Sequence, residues 1–140
     1  MKKSILQIVF LFIILPSLLF AEESKKNPIE ILYTVECFAF GGTGYGGITS
    51  EGEIAFKKVL KGNNPKEDFI KVFENANPQG KSYALVALHH LDINVYNKLA
   101  NEFINQNIQV SVMSGCLADY HKTKEIVEQI SSNEFSKHLE

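Results

Sequence analysis

The chain has 140 residues, 14 basic and 16 acidic side chains, a net charge of −2 and 45% hydrophobic residues, which suits one domain around one core. Every basic residue is a lysine. Arginine is the usual residue for bidentate capture of phosphate and guanine, so its absence, with no basic patch, argues against nucleic acid as a partner.

Lys2 and Lys3 precede an apolar run over residues 5–15 broken only by Gln7, then Pro16 and a tail ending Leu19, Phe20, Ala21. This is the layout of a secretory signal peptide over 1–21. Residues 5–21 contain a proline and fall short of the ~20 apolar residues of a membrane span. Cleavage after Ala21 is expected, and the location is periplasmic or extracellular. Membrane contact would then arise only through this segment, if it were retained as an anchor, and no cysteine near the cut provides for lipidation. Cleavage removes two lysines and leaves a more acidic remainder.

Residues 22–28 read as a flexible leader ending in proline. From residue 29, Ile29, Ile31, Tyr33 and Val35 alternate with Glu30, Leu32, Thr34 and Glu36, a period-two pattern that predicts a strand. "FGGTGYGGITSEGE" follows over 40–53, with five glycines between Gly41 and Gly47. Ser50 and Glu53 then form an S-x-x-E capping box that opens a helix burying Ala55, Phe56, Val59 and Leu60. Asn64–Pro65, with Glu67, and Asn77–Pro78 are two further helix starts. The first opens the stripe Phe69, Val72, Phe73, Ala76; the second opens a helix whose "YALVAL" is apolar on all sides and must be covered by neighbours. Asp92 caps a fourth helix with the stripe Tyr96, Leu99, Ala100, Phe103.

Alternation returns at Ile108, Val110 and Val112 and predicts a short strand, followed by a turn at "SGC". A last helix holds Ile126, Val127 and Ile130, and residues 131–140 are expected to fray. The expected fold is mainly α with minor β: a single domain over 29–130, a compact bundle of about five helices in pairs with two short flanking strands.

Two cysteines, Cys37 and Cys116, end the two expected strands. In an exported chain an even count favours pairing, so a Cys37–Cys116 disulfide is expected, stabilising by about 4 kcal/mol in the chain-entropy model. Two buried thiols are the alternative.

The succession "GGTGYGGITSEGE", "NPQGKSYALVAL" and "SGC" across residues 40–116 resembles a family of short, often exported bacterial proteins, a likeness that carries no activity to transfer. The helix pairs are loosely similar to HEAT-type repeats, although the stripes at 69–76 and 96–103 lie 27 residues apart against roughly 40 in that class.

Gly42, Gly44 and Gly47 spell G-x-G-x-x-G. A dinucleotide site needs the third glycine to open a helix at once, followed by a second strand ending in an acidic residue. Here Ser50 delays the helix, no second strand follows, and no Lys-Ser or Lys-Thr supplies a P-loop. The expectation is a tight surface loop without a cofactor; an exposed aromatic, Tyr45, at its centre makes it a candidate partner-binding loop. His89 and His90 are adjacent on a helix and cannot share a metal as an i, i+4 pair would. Cys116, Asp119 and His121 lie close in sequence and admit a thiol nucleophile, provided Cys116 is not oxidised. No other catalytic constellation stands out, and no metal site is expected. An exported binding protein of unidentified protein partner is the leading reading; a periplasmic inhibitor or immunity-type protein is its more specific form, and a thiol enzyme using Cys116 with His121 is the competing class.

Overall fold

A computed structural model describes residues 26–140. The signal segment expected over 1–21 and most of the leader lie outside the described residues. The elements in chain order are α1 (Pro28–Tyr33), β1 (Gly42–Thr43), β2 (Ile48–Thr49), α2 (Glu51–Leu60), α3 (Pro65–Asn75), α4 (Pro78–Leu91), α5 (Ile93–Gln106), β3 (Gln109–Ser114), β4 (Leu117–Lys122) and α6 (Thr123–Ser131), followed by a 3-10 turn, Ser136–His138. The fold is mainly α, with two small antiparallel sheets, β1–β2 and β3–β4.

The strand expected from residue 29 is helical instead. Asn27 accepts from the Ile29 amide at 3.1 Å and Pro28 takes the first helical position, the same Asn–Pro start used twice later. Leu32, which alternation puts on the polar side, is fully buried. Only Phe38 keeps a β contact, a parallel bridge to Val112.

The next four helices begin where the sequence signals them. The Ser50 hydroxyl caps the Glu53 amide at 3.1 Å, Asn77 caps the Gly80 amide at 2.9 Å, and Asp92 caps the amides of Asn94 and Val95. Those amide bonds hold the Asp92 carboxyl below its ordinary range, the Val95 bond first, with Lys66 assisting. Asn64 makes no side-chain cap bond, so α3 starts on Pro65 alone.

Helix α4 is the axis of the fold. It touches all five other helices and β3, and Tyr83, Ala84, Leu85, Ala87 and Leu88 have no exposed surface. The expected stripes converge on it: Phe56, Phe69, Val72, Phe73, Phe103, Ile126 and Ile130 are all buried, each large side chain contributing about 1.5–3 kcal/mol of transfer free energy. Helix α1 lies so close that a Cβ on Gly80 would collide with the Leu32 carbonyl oxygen and the Ala76 side chain. Asn77 completes that contact, its amide donating to Tyr33 O and its side chain to Val35 O at 2.7 Å. Among the described residues no helix is long and apolar enough to cross a membrane.

The C-terminal segment, expected to fray, packs back on the core. Phe135 packs edge-on to Phe38 with ring centroids 5.1 Å apart, and Leu139 joins the rim of the core. The His138 imidazole stacks on Phe40 at 4.9 Å. Residues 135 and 139 return apolar surface to a cluster that α6 leaves open, which is why the chain closes back on itself.

Gly80→Ala tests the α1–α4 contact. The clash involves backbone, which cannot rotate aside, so a loss of about 3 kcal/mol is expected in urea unfolding; an unchanged midpoint would show that α1 is not seated on α4.

Candidate functional site

The glycine-rich stretch folds as a hairpin standing on a buried polar pin. The segment leading into it enters the core: Phe38 and Ala39 are 1% and 2% exposed. Their backbone groups need partners there. Phe38 exchanges bonds with β3, its amide donating to Ser111 O at 2.8 Å and its carbonyl accepting from Met113 N at 3.1 Å. Ala39 is held by one phenol: the Tyr83 hydroxyl donates to Ala39 O at 2.6 Å and accepts from Ala39 N at 3.0 Å. The Ser50 hydroxyl also donates to Ala39 O, at 3.1 Å. Burial pushes the Tyr83 phenol up to about 12, even though its bonds to Ser50 and Ala39 favour the ionised form.

Gly41 is fixed next. Its amide donates to the Glu53 carboxylate at 2.7 Å. The capping box is therefore only half formed, because Glu53 leaves the start of its own helix to hold the loop. Glu53 is 3% exposed and its other oxygen faces Lys57 Nζ at 3.2 Å and His138 Nδ1 at 3.3 Å.

Beyond this anchor Gly42 pairs with Thr49 and Thr43 with Ile48. Gly44 and Gly47 sit at φ of 66° and 59°, a left-handed geometry that favours glycine, and the Gly47 amide closes the turn on Gly44 O at 3.2 Å. The Gly44 amide donates to Gly115 O at 2.9 Å, tying this hairpin to the tip of β3–β4. Tyr45 stands free at 104% relative exposure, with Ile48 at 71% and Leu117, beside Gly115 and Cys116, at 76%. The candidate loop residues are thus one unit that displays a tyrosine.

The cysteine expectations fare differently. Cys37 is half-buried and Cys116 exposed, and both are free thiols. Phe38 bridges Val112, which sets Cys37 beside the middle of β3, whereas Cys116 lies in the turn between the paired residues Ser114 and Leu117, and no disulfide joins the two. Cys116 and His121 sit at opposite ends of β4, with His121 opposite Val110 at the far end of the ladder. The thiol and the imidazole are not brought together. His121 instead has Asp119 Oδ2 at 3.7 Å, and its Nδ1 is buried without a partner. His89 packs edge-on to Tyr96, centroids 4.7 Å apart, while His90 is exposed. Among the described residues no group of three or more His, Cys, Asp or Glu side chains is arranged to hold a metal ion.

Sequence reasoning missed Tyr83, Glu53 and His138 as parts of this site. Tyr83 was within reach, since a hydroxyl inside a helix that is apolar on all sides must find a buried acceptor. His138 carried no such signal. A cleft of about 370 Å³ lies beside the anchor, lined by Phe38, Phe40, Leu117, His121, Phe135 and His138 among others.

No family model, curated protein or solved structure matches the chain, so a functional reading stands on its own residues.

Two measurements check the site. Tyr83 keeps its proton in the folded state to about pH 12, whereas an unfolded tyrosine ionises near 10. The unfolded state therefore sheds this proton first, and the stability tied to it is fully present below about pH 10 and lost as pH rises through about 12. Tyr83→Phe should flatten that alkaline decline and cost about 1–3 kcal/mol at neutral pH through the unpaired Ala39 groups, read by urea unfolding across pH.

Burial first, and then the Glu36 charge, push the Cys37 thiol up. Native alkylation should modify Cys116 well before Cys37, and both should react without reductant. Two thiols that react only after reduction would restore the disulfide.

Proposed function

We propose that the protein is an exported binding module that engages a protein partner through the face formed by its two hairpin tips. The observation that carries this is Tyr45: a fully exposed aromatic on a loop whose base is pinned in the core. Contiguous exposed apolar surface marks interaction sites, and tyrosine is favoured as an anchor because it carries much contact area on few rotatable bonds. Ile48 and Leu117 continue the apolar surface, and the Gly44–Gly115 bond keeps the two tips in register.

Rigidity is what makes the display effective. A glycine-rich loop in isolation would lose much conformational entropy on binding. Here the Tyr83, Glu53 and Gly115 bonds have already removed that freedom, so a partner meets a prepared surface. The signal-type segment at 1–21 supports a site of action outside the cytoplasm. The inhibitor or immunity-type role is the narrower form of the same proposal. The separation of Cys116 from His121 along β4 parts the thiol from the imidazole that the thiol-enzyme reading pairs with it.

Capture on the domain spanning residues 22–140, compared with its Tyr45→Ala variant, tests this reading. A stoichiometric partner retained by the parent and lost at least about tenfold in affinity by the variant, with an unchanged helical spectrum, is expected for an interface anchor. A partner bound equally by both would remove the glycine loop from the interface.

A further inference from the structure

The outer edge of β4 carries a second surface, independent of the hairpin tips. β3 is paired on both sides, with β4 on one and Phe38 on the other; among the described residues nothing pairs with the far side of β4. Its backbone orientation follows from the ladder. Ser111 O and Met113 N bond Phe38, so both residues turn away from β4. Their opposite numbers, Tyr120 and Ala118, therefore turn their N–H and C=O groups to the open edge, and Lys122 continues the alternation.

Two of these three outward amides are occupied by carboxylates. Tyr120 N donates to Asp119 Oδ1 at 2.7 Å, and Lys122 N donates to Glu125 Oε2 at 2.8 Å. They fill the positions that carbonyls of a neighbouring strand would take. A groove of about 530 Å³ runs beside the edge, lined by Asp119, Tyr120, His121, Glu125, Glu128 and Gln129. Tyr120 remains 66% exposed.

We infer that this edge pairs with β4 of a second copy of the chain, antiparallel and centred on Tyr120. The strand is self-complementary in that register. Ala118 falls opposite Lys122 of the second copy, so outward backbone meets outward backbone across the whole edge. On the other face Asp119 falls opposite His121 of the second copy, and His121 opposite its Asp119, giving two reciprocal pairs of a carboxylate and an imidazole. One step of register either way sets Asp119 against Asp119 or His121 against His121. Only the Tyr120-centred register pairs acceptor with donor, which singles out this chain rather than an arbitrary extended peptide. On pairing, carbonyls of the second copy replace Asp119 and Glu125 at the edge amides, and Asp119 is released to face the second imidazole.

Sedimentation velocity over a concentration series tests the association, and crosslinking tests the register. In a Cys37→Ser, Cys116→Ser background, a mixture of Ala118→Cys and Lys122→Cys chains should be joined by a short thiol-to-thiol reagent. Either variant alone should not, because its own thiols would lie about 13 Å apart. Ala118→Pro removes an outward amide while sparing the β3 ladder, and it should abolish the dimer with the melting curve of the monomer unchanged. A wild-type chain that stays monomeric throughout overturns the inference, as does a dimer that survives Ala118→Pro or crosslinks in another register. A monomer that binds an extended basic peptide and loses it on Ala118→Pro would overturn it in favour of a foreign strand.

Discussion

The contact on which the rest depends is the double hydrogen bond between the Tyr83 hydroxyl and the backbone of Ala39. Residues 34–41 have no helix or long strand to satisfy them, yet Phe38 and Ala39 lie in the core. An irregular segment can be buried only if each polar group finds a partner, because an unpaired one forfeits much of the stabilisation that burial provides. A single phenol on the central helix supplies both partners for Ala39, and the Ser50 hydroxyl adds a bond to the same carbonyl. The rings around it, Phe38, Phe40 and Phe56, meet Tyr83 at centroid distances of 5.0–5.9 Å. Dry surroundings strengthen the bonds, and the bonds permit the dry surroundings.

Glu53 extends this logic to the loop and the C-terminus. A carboxylate at 3% exposure is tolerated only when paired and hydrogen-bonded, and Glu53 is held from three directions: the Gly41 amide, Lys57 on its own helix and His138 from the chain end. The base of the glycine hairpin, the first turns of α2 and the tail are therefore coupled through one side chain. Loosening the tail would withdraw the His138 contact and the stacking on Phe40, and the loop base would feel it. The display of Tyr45 is in this sense a property of the whole fold.

The helical core was legible because its signals are local. Ser50, Asn77 and Asp92 cap as their spacing implies, and the stripes at 69–76 and 96–103 turn to the core as their period implies, Leu99 only in part. At residues 29–36 the two-residue period misleads because the Asn27–Pro28 start, the same dipeptide that opens helices at 64 and 77, outweighs it. β4 escaped notice for a different reason. "LADYHK" is exposed along almost its whole length, and an edge strand without a buried face leaves no alternation to read. The Glu53–Gly41 bond and the return of Phe135 and His138 depend on contacts across many residues, which no local pattern encodes. The loop glycines were found, but whether they met a ligand or the protein itself required the partners of their amides.

Those partners bear on the G-x-G-x-x-G spacing. A loop that cradles phosphate does so with free backbone amides converging on the anion. In this loop the Gly41 amide already donates to the Glu53 carboxylate, the Gly44 amide to Gly115 O and the Gly47 amide to Gly44 O. At the start of α2 the Glu53 amide is capped by Ser50. The anion at the base of the loop is the protein's own, supplied by the residue that sequence reasoning assigned to a capping box. A phosphate would have to displace a buried carboxylate that is simultaneously held by Lys57 and His138, and no lysine stands in the loop to offset the added charge. The left-handed Gly44 and Gly47 serve the backbone geometry of the turn, and the side chain that the turn leaves exposed is Tyr45.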